Sequence, residues 1–171
     1  LPLSKNINAS LSIVKLAKSY KVSVEGEVGI VGYHNGKISE GTKVNEAKRF
    51  VDESGVDAIA ISVGNTHLQT NKIAKIDIKK IIDLQNVINI PLVLHGSSGI
   101  GNAMRRKIAK TTNVAKFNIG TELRLIFGNS LRANILQNKD VFDRLKILKP
   151  TIKEIKKVAM KVILNIGPVN E

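Results

Sequence analysis

Apolar and polar positions alternate along this chain in two distinct rhythms. Four short runs, Val22–Val28, Asp57–Val63, Ile90–Leu94 and Val114–Ile119, are dense in Val and Ile and close on a glycine or a polar residue. Each is too short for a helix, and β-branched residues fit a pleated surface, so each is read as a strand. Between the runs, apolar residues recur near every 3.6 positions, the period of a helix with one buried stripe. Such stretches carry Ile7, Leu11, Val14 and Ala17; Val44–Ser54, with Ala47, Phe50 and Val51 inside; Ile78–Gln85; and Asn102–Thr111. A longer helix starts near Thr121 and runs through Leu131 to about Leu136. A last one follows Pro150, with Ile152, Ile155, Val158, Ala159 and Val162 inside.

Strand–helix alternation with near-continuous apolar strands predicts parallel pairing with both sheet faces covered. A doubly wound open sheet and part of a (β/α)8 barrel both satisfy this pattern, and periodicity leaves the two open. The 171 residues suffice for one domain with a real core, and no linker or low-complexity tract divides residues 1–171. No run approaches about eighteen uninterrupted apolar residues, so no membrane partner is expected. The first residue is Leu1 and not Met, which suggests a processed chain or an excerpt from a longer one. No charged segment leads into an apolar core there, so no secretory signal is expected. The absence of cysteine excludes disulfides and thiolate metal sites and fits a reducing cytoplasm.

Charge changes the picture little. The formal net charge of +13 raises nucleic acid as a partner. Aromatic content is only 4%, however, and the lysines are scattered along helices without stacking residues beside them. A compositional bias toward Lys, Asn and Ile is the better account, and no nucleic-acid partner is expected. A positive field still draws small phosphorylated substrates.

In either α/β architecture, function gathers at the C-terminal ends of parallel strands. The first run carries Glu25 and Glu27 and leads into Gly29–Gly32. The second runs into Gly64-Asn65-Thr66-His67, the third into His95-Gly96-Ser97-Ser98-Gly99, and the fourth into Asn118-Ile119-Gly120-Thr121. Polar groups from all four thus share one mouth. Neighbouring strands lie about 4.8 Å apart, and zinc–imidazole bonds are about 2.0–2.1 Å. His67 and His95 could therefore hold one ion together; the alternative is that each caps its strand with a hydrogen bond. His34, in a loop with Gly and Asn, is read as solvated. Gly96–Gly99 and Gly120-Thr121 each open a helix, where glycine lets main-chain N–H groups approach an anion and the helix dipole favours it. The alternative there is a pair of tight turns.

The segments SVEGEVG, SVGNTH, IPLVLHGSSGI and AKFNIGTELR, in this order and spacing, resemble the class II fructose- and tagatose-bisphosphate aldolases. The opening LPLSKNI and the ILKP at residues 147–150 extend the resemblance over nearly the whole chain. It implies an α/β fold formed by the C-terminal half, strands five to eight, of a TIM (β/α)8 barrel whose N-terminal half is absent. It also implies catalytic Zn2+ and a second divalent or monovalent cation. His67 and His95 resemble two of the family's three zinc histidines, and Glu27 its second metal position, with Glu25 as the alternative register. Gly96, Ser97 and Ser98 resemble the loop that holds the phosphate of the dihydroxyacetone phosphate half. Asn118, Ile119, Gly120 and Thr121 resemble its other wall, and the backbone of Leu68 a further contact. Gly32–Gly41 corresponds to a lid in which Glu40 is the only carboxylate.

The implied reaction is reversible aldol cleavage of fructose 1,6-bisphosphate or tagatose 1,6-bisphosphate to dihydroxyacetone phosphate and glyceraldehyde 3-phosphate. That is a lyase step of glycolysis and carbohydrate metabolism, expected in the cytoplasm and in a homodimer or higher oligomer. Two departures stand out. Leu68 occupies a position where the family commonly has glycine. No Asp–His pair occurs anywhere in the sequence, so the family's first zinc histidine and its catalytic aspartate have no counterpart. The chain alone is therefore expected to be inactive; the alternative reading is a non-catalytic half-barrel, or a phosphosugar-binding module that needs a partner chain.

Overall fold

Four parallel strands form one sheet, and their helices pack on one of its faces. The computed structural model of the chain describes residues 1–33 and 41–167. His34, Glu40 and most of the Gly32–Gly41 loop lie outside the described residues. The sheet contains β1 (Glu25–Val28), β3 (Ala58–Ile61), β5 (Leu92–Leu94) and β6 (Val114–Phe117), hydrogen-bonded in that spatial order. Two further strands, β2 (Gly32–Tyr33) and β4 (Thr66–His67), form a small parallel pair of their own. Along the chain the helices are α1 (Leu3–Ser19), α2 (Val44–Ser54), α3 (Ile78–Gln85), α4 (Asn102–Thr111), α5 (Thr121–Gln137) and α6 (Arg144–Ile166). The order of the four strands follows the chain without reversal, so no doubly wound switch point lies among them. No helix of the described residues is long and apolar enough to cross a membrane.

Helices α2, α3 and α4 have the limits that their apolar spacing predicts. Local chemistry sets their ends. Asp77 caps α3 by accepting from the Lys80 N–H, and Gly55 closes α2 in the left-handed region at φ +68°. The strands are shorter than their apolar runs, because a residue counts in a ladder only where a partner lies opposite. β1 pairs from Glu25, opposite Ala58, and Val22 before it is exposed.

The register divides the strand residues cleanly between two faces. Gly26, Val28, Ile59, Ile61, Leu92, Leu94, Val114 and Phe117 share one face. There they pack against Phe50, Ile81, Leu84 and Ile108 of the covering helices. Each fully buried side chain of this kind contributes about 1.5–3 kcal/mol. The opposite face carries Glu25, Glu27, Ala58, Ala60, Val93 and Lys116. The apolar strands predict both faces covered. The core cluster draws its strand residues from one face only, and the other carries Glu25, Glu27 and Lys116 among Ala58, Ala60 and Val93.

A bulge in β6 decides what that second face contains. Leu92 pairs with Val114 but Val93 pairs with Lys116, so Ala115 is extra. Without the extra residue, Lys116 would point into the helical core. With it, the Lys116 ammonium reaches the Glu25 carboxylate at 2.7 Å. In a flat sheet, strands three places apart stand about 14 Å from each other. A Lys–Glu pair spanning β3 and β5 therefore requires this face to be concave, and Ala58 and Ala60 leave room for it.

The last two helices depart from the sequence reading. α6 begins at Arg144, six residues before Pro150, because Asp143 caps it by accepting from the Leu145 N–H. Pro150 lies inside the helix, where it leaves the Lys146 carbonyl without its usual donor four residues on. Of the predicted inner stripe only Val162 is buried; Ile155, Val158 and Ala159 are half-buried and Ile152 is exposed. The reason is placement: α6 packs on α5 and α4 outside the sheet. No residue of α5 is fully buried.

Gly26 gives a direct test of the helical face. A Cβ there would stand 2.6 Å from Phe50 Cε1 and 3.1 Å from Val56 Cγ1, and Phe50 is wholly enclosed. Gly26→Ala is expected to destabilise the fold by about 1–3 kcal/mol, read from urea midpoints at unchanged slope.

Candidate functional site

The C-terminal ends of β3 and β5 and the start of α5 build one concave site. β3 stops at Ile61, and a turn held by the buried Asn65 carries the chain to β4. Asn65 accepts from the Val63 N–H at 2.7 Å and donates to the carbonyls of Ile61 and His95 at 3.2 and 2.9 Å. That amide ties the end of β3 to the end of β5. His67 and His95 consequently face each other, their ring centroids 6.0 Å apart.

On the concave face His95 meets both carboxylates of β1. Its Nε2 lies 2.9 Å from Glu25 Oε1, and its Nδ1 lies 3.3 Å from Glu27 Oε2. Burial pushes the Glu25 carboxyl up, but the hydrogen bonds and charges of Lys116 and His95 together outweigh it and hold it below the ordinary value. Two donors on one tetrahedral zinc, each bonded at about 2.0–2.2 Å, stand about 3.3–3.5 Å apart, and two bound imidazole centroids about 5–6 Å. The Glu27–His95 and His67–His95 pairs fit those separations. Among the described residues, no three His, Cys, Asp or Glu side chains converge as a complete metal site.

Beside His67 opens a cavity of about 380 Å³, lined by Leu68, Gly96, Ser98, Asn118, Ile119, Gly120, Thr121 and Arg124 among others. Gly96 is required at its position. Its φ is +62°, and a Cβ there would collide with the Thr66 carbonyl oxygen. The N-terminal end of α5 contributes Gly120 and Thr121, so its dipole favours an anion in this space. Ser98 Oγ accepts from the Glu122 N–H at 3.1 Å, which leaves its own hydrogen to donate elsewhere.

Ser97 does not line the cavity. Fully buried, it donates its hydroxyl to Leu94 O at 2.8 Å and its N–H to Asn118 O at 3.2 Å. It ties the two loops together, and its N–H is not available to an anion. Arg124, which the sequence reading passed over, does line the cavity. Its guanidinium folds back over Gly120, where a Cβ would stand 3.0 Å from Nη2. The signal was present, since a cation one helical turn after Gly120 reaches back over the helix start.

Behind the cavity lies a charge network also missed in the sequence. Arg105 is 1% exposed and donates Nη1 to Glu122 Oε2 at 3.0 Å and Nη2 to Asn102 Oδ1 at 2.7 Å. Lys72 reaches the other Glu122 oxygen at 3.0 Å and the same Asn102 oxygen at 2.6 Å. Burial pushes the Glu122 carboxyl up, but Lys72 and Arg105 pull it below the ordinary value. The network clips the first turn of α5 to α4 and to the loop after β4.

Two predictions follow from this geometry. Leu68 sits in the left-handed region at φ +56°, where a side chain costs about 1–2 kcal/mol. Leu68→Gly relieves that cost against a smaller extra loss of chain entropy, about 0.5–1 kcal/mol, so a net gain of about 0.5–1 kcal/mol is expected in denaturant unfolding. Glu122 has a folded pKa below its unfolded value, so its stabilisation is complete above the unfolded pKa. It is lost as pH falls through the folded one, so stability should decline below about pH 4.3. Urea unfolding followed against pH should show a shallower acid decline for Glu122→Gln, which lacks the titrating group.

Comparison with known proteins places these features. The family model described as "Fructose-bisphosphate aldolase class-II" matches residues 1–171. The structure is similar to that of the YdjI aldolase from Escherichia coli K12, with a TM-score of 0.75 and 26% identity over 98% of this chain. It also shares the fold of a fructose-bisphosphate aldolase from Campylobacter jejuni, with a TM-score of 0.71 and 20% identity over 96% of this chain. In each comparison the chain spans 56% of the other protein's length.

Proposed function

The chain belongs to the class II fructose-bisphosphate aldolase family, and from that membership we propose that it carries the phosphate-binding and part of the metal-binding machinery of a ketose-bisphosphate aldolase. The observation that carries this reading is the cavity at the start of α5, open beside the facing pair His67 and His95. In this reading the four sheet strands are strands five to eight of a (β/α)8 barrel. The concave polar face is then its lumen.

The cavity takes the phosphate of the dihydroxyacetone phosphate half. Ser98 donates its hydroxyl, Thr121 and Gly120 present the start of α5, and Arg124 supplies a positive charge. Main-chain groups of Leu68 and Gly96 and the side of Asn118 complete the walls, with Ile119 against the carbon skeleton. Holding the donor half this way orients the bond to be cleaved, a term worth several kcal/mol in well-oriented reactions. His67 and His95 would hold Zn2+, and Glu27 stands where a second cation would bind. When bound, the zinc acts as a Lewis acid on the substrate's carbonyl oxygen.

A third metal ligand and a base for the hydroxyl proton are still needed, and no Asp–His pair exists in this sequence to provide them. We assign both to a part of the protein outside this chain. The alternative, a phosphosugar-binding module without catalysis, draws on the same incomplete ligand set.

The test separates binding from chemistry. Dihydroxyacetone phosphate should bind the chain in a calorimetric titration. Ser98→Asp should weaken binding about 10-fold or more, because close like charges cost several kcal/mol. Aldol cleavage of fructose 1,6-bisphosphate by the chain alone should be undetectable with zinc added. Unchanged affinity in the variant would remove the cavity from its assigned role, and full cleavage by the chain alone would show that no outside base is needed.

A further inference from the structure

Glu25 and Glu27 stand on the same face of β1 and both touch His95, yet their surroundings give them different work. Both oxygens of Glu25 are engaged, Oε1 with His95 Nε2 at 2.9 Å and Oε2 with Lys116 Nζ at 2.7 Å. Among the described residues Glu27 meets no such lysine, and its Oε2 faces His95 Nδ1 at 3.3 Å. A neutral imidazole has one N–H and one lone pair, and the partner of the first decides where the second points.

We infer that Glu25, held in place by Lys116, is a positioning residue that accepts the Nε2–H of His95 and so presents Nδ1 as the metal-binding nitrogen toward Glu27. The inference rests on the metal reading of His95 given above. Three observations carry it. The Nε2 contact is the shorter of the two and falls on the carboxylate that is anchored from its other side. Lys116 occupies the oxygen that Glu25 would otherwise offer a cation, which leaves Glu27 as the carboxylate able to bind one. The bulge at Ala115 aims Lys116 across two strands at this carboxylate. Ligating histidines commonly donate their second N–H to a carboxylate, which fixes the ring and raises its basicity.

The decisive experiment uses the chain with 15N-labelled histidine. A long-range proton–nitrogen correlation in the metal-free protein, at a pH where the imidazole is neutral, reads the His95 tautomer directly. The Nε2–H form is expected in the wild type and a mixture of tautomers in Glu25→Ala. Zinc alone, titrated calorimetrically, should bind Glu25→Ala about 10–100-fold more weakly than wild type. Glu25→Gln keeps an acceptor oxygen but loses the charge, so it should retain the Nε2–H tautomer and most of the affinity. A role confined to the ion pair with Lys116 would not be rescued in that way.

Should Glu25→Ala fail to fold, the wild-type tautomer and the Glu25→Gln titration still decide the matter. An Nδ1–H tautomer in the wild type, or undiminished zinc affinity in Glu25→Ala, would overturn the inference. An Nε2–H tautomer in a wild-type chain that binds no zinc is a different result. It would overturn the metal reading itself, and the positioning role with it, while leaving the hydrogen-bond geometry confirmed.

Discussion

The contact between Glu25 and Lys116 joins the first and last strands of the main sheet across the two between them. It is possible only because that face is concave and because β3 contributes nothing larger than alanine there. The same constraint places His95, since the carboxylate that pairs with Lys116 also receives one side of its ring. A sheet covered by helices on one face must leave its other face either solvated or occupied. Here it is occupied by charges that compensate one another, and His95 meets both carboxylates of β1 where those charges reach the strand ends.

The cavity at the start of α5 depends on a second, independent device. An arginine at 1% exposure is a costly group to enclose, and it is tolerated because Glu122 and Asn102 accept from its two terminal nitrogens, although its Nε has no partner among the described residues. In return, the first turn of α5 is held in a fixed place relative to the Gly96–Gly99 turn. The two loops of the cavity thus do not depend on a ligand to find each other. Ser97 adds to this from below, bonded to both loops and turned away from the space between them. His67 belongs to both halves of the site, lining the cavity on one side and facing His95 on the other.

Leu68 shows how a family pattern can change without loss of the backbone that explains it. The family commonly has glycine at this position, and the left-handed φ found here is the conformation in which glycine has the advantage. The chain keeps the conformation with a leucine, whose side chain is more than half exposed. The strain is local, and the pairing of β2 with β4 holds the preceding His67 in register.

Much of this could be read in the sequence. The inner limits of α2, α3 and α4, the order of the strands and the gathering of His67, His95, Gly96, Ser98 and Asn118–Thr121 at their ends all follow from local periodicity and strand direction. Helices and strands are short-range objects, and a motif at a strand end needs only the strand to be placed. What tertiary structure decided is of another kind. The bulge at Ala115 leaves no mark in a run of apolar residues, yet it determines which face Lys116 occupies. The partner of that lysine lies 91 residues earlier. Arg105 reads as one more helical cation until Glu122 is brought to it, and the inner stripe of α6 reads as core until the helix is found to pack outside the sheet. Each of these depends on sheet curvature or on the placement of a distant helix, and such long-range geometry is set by how whole elements pack, not by the residues of any one of them.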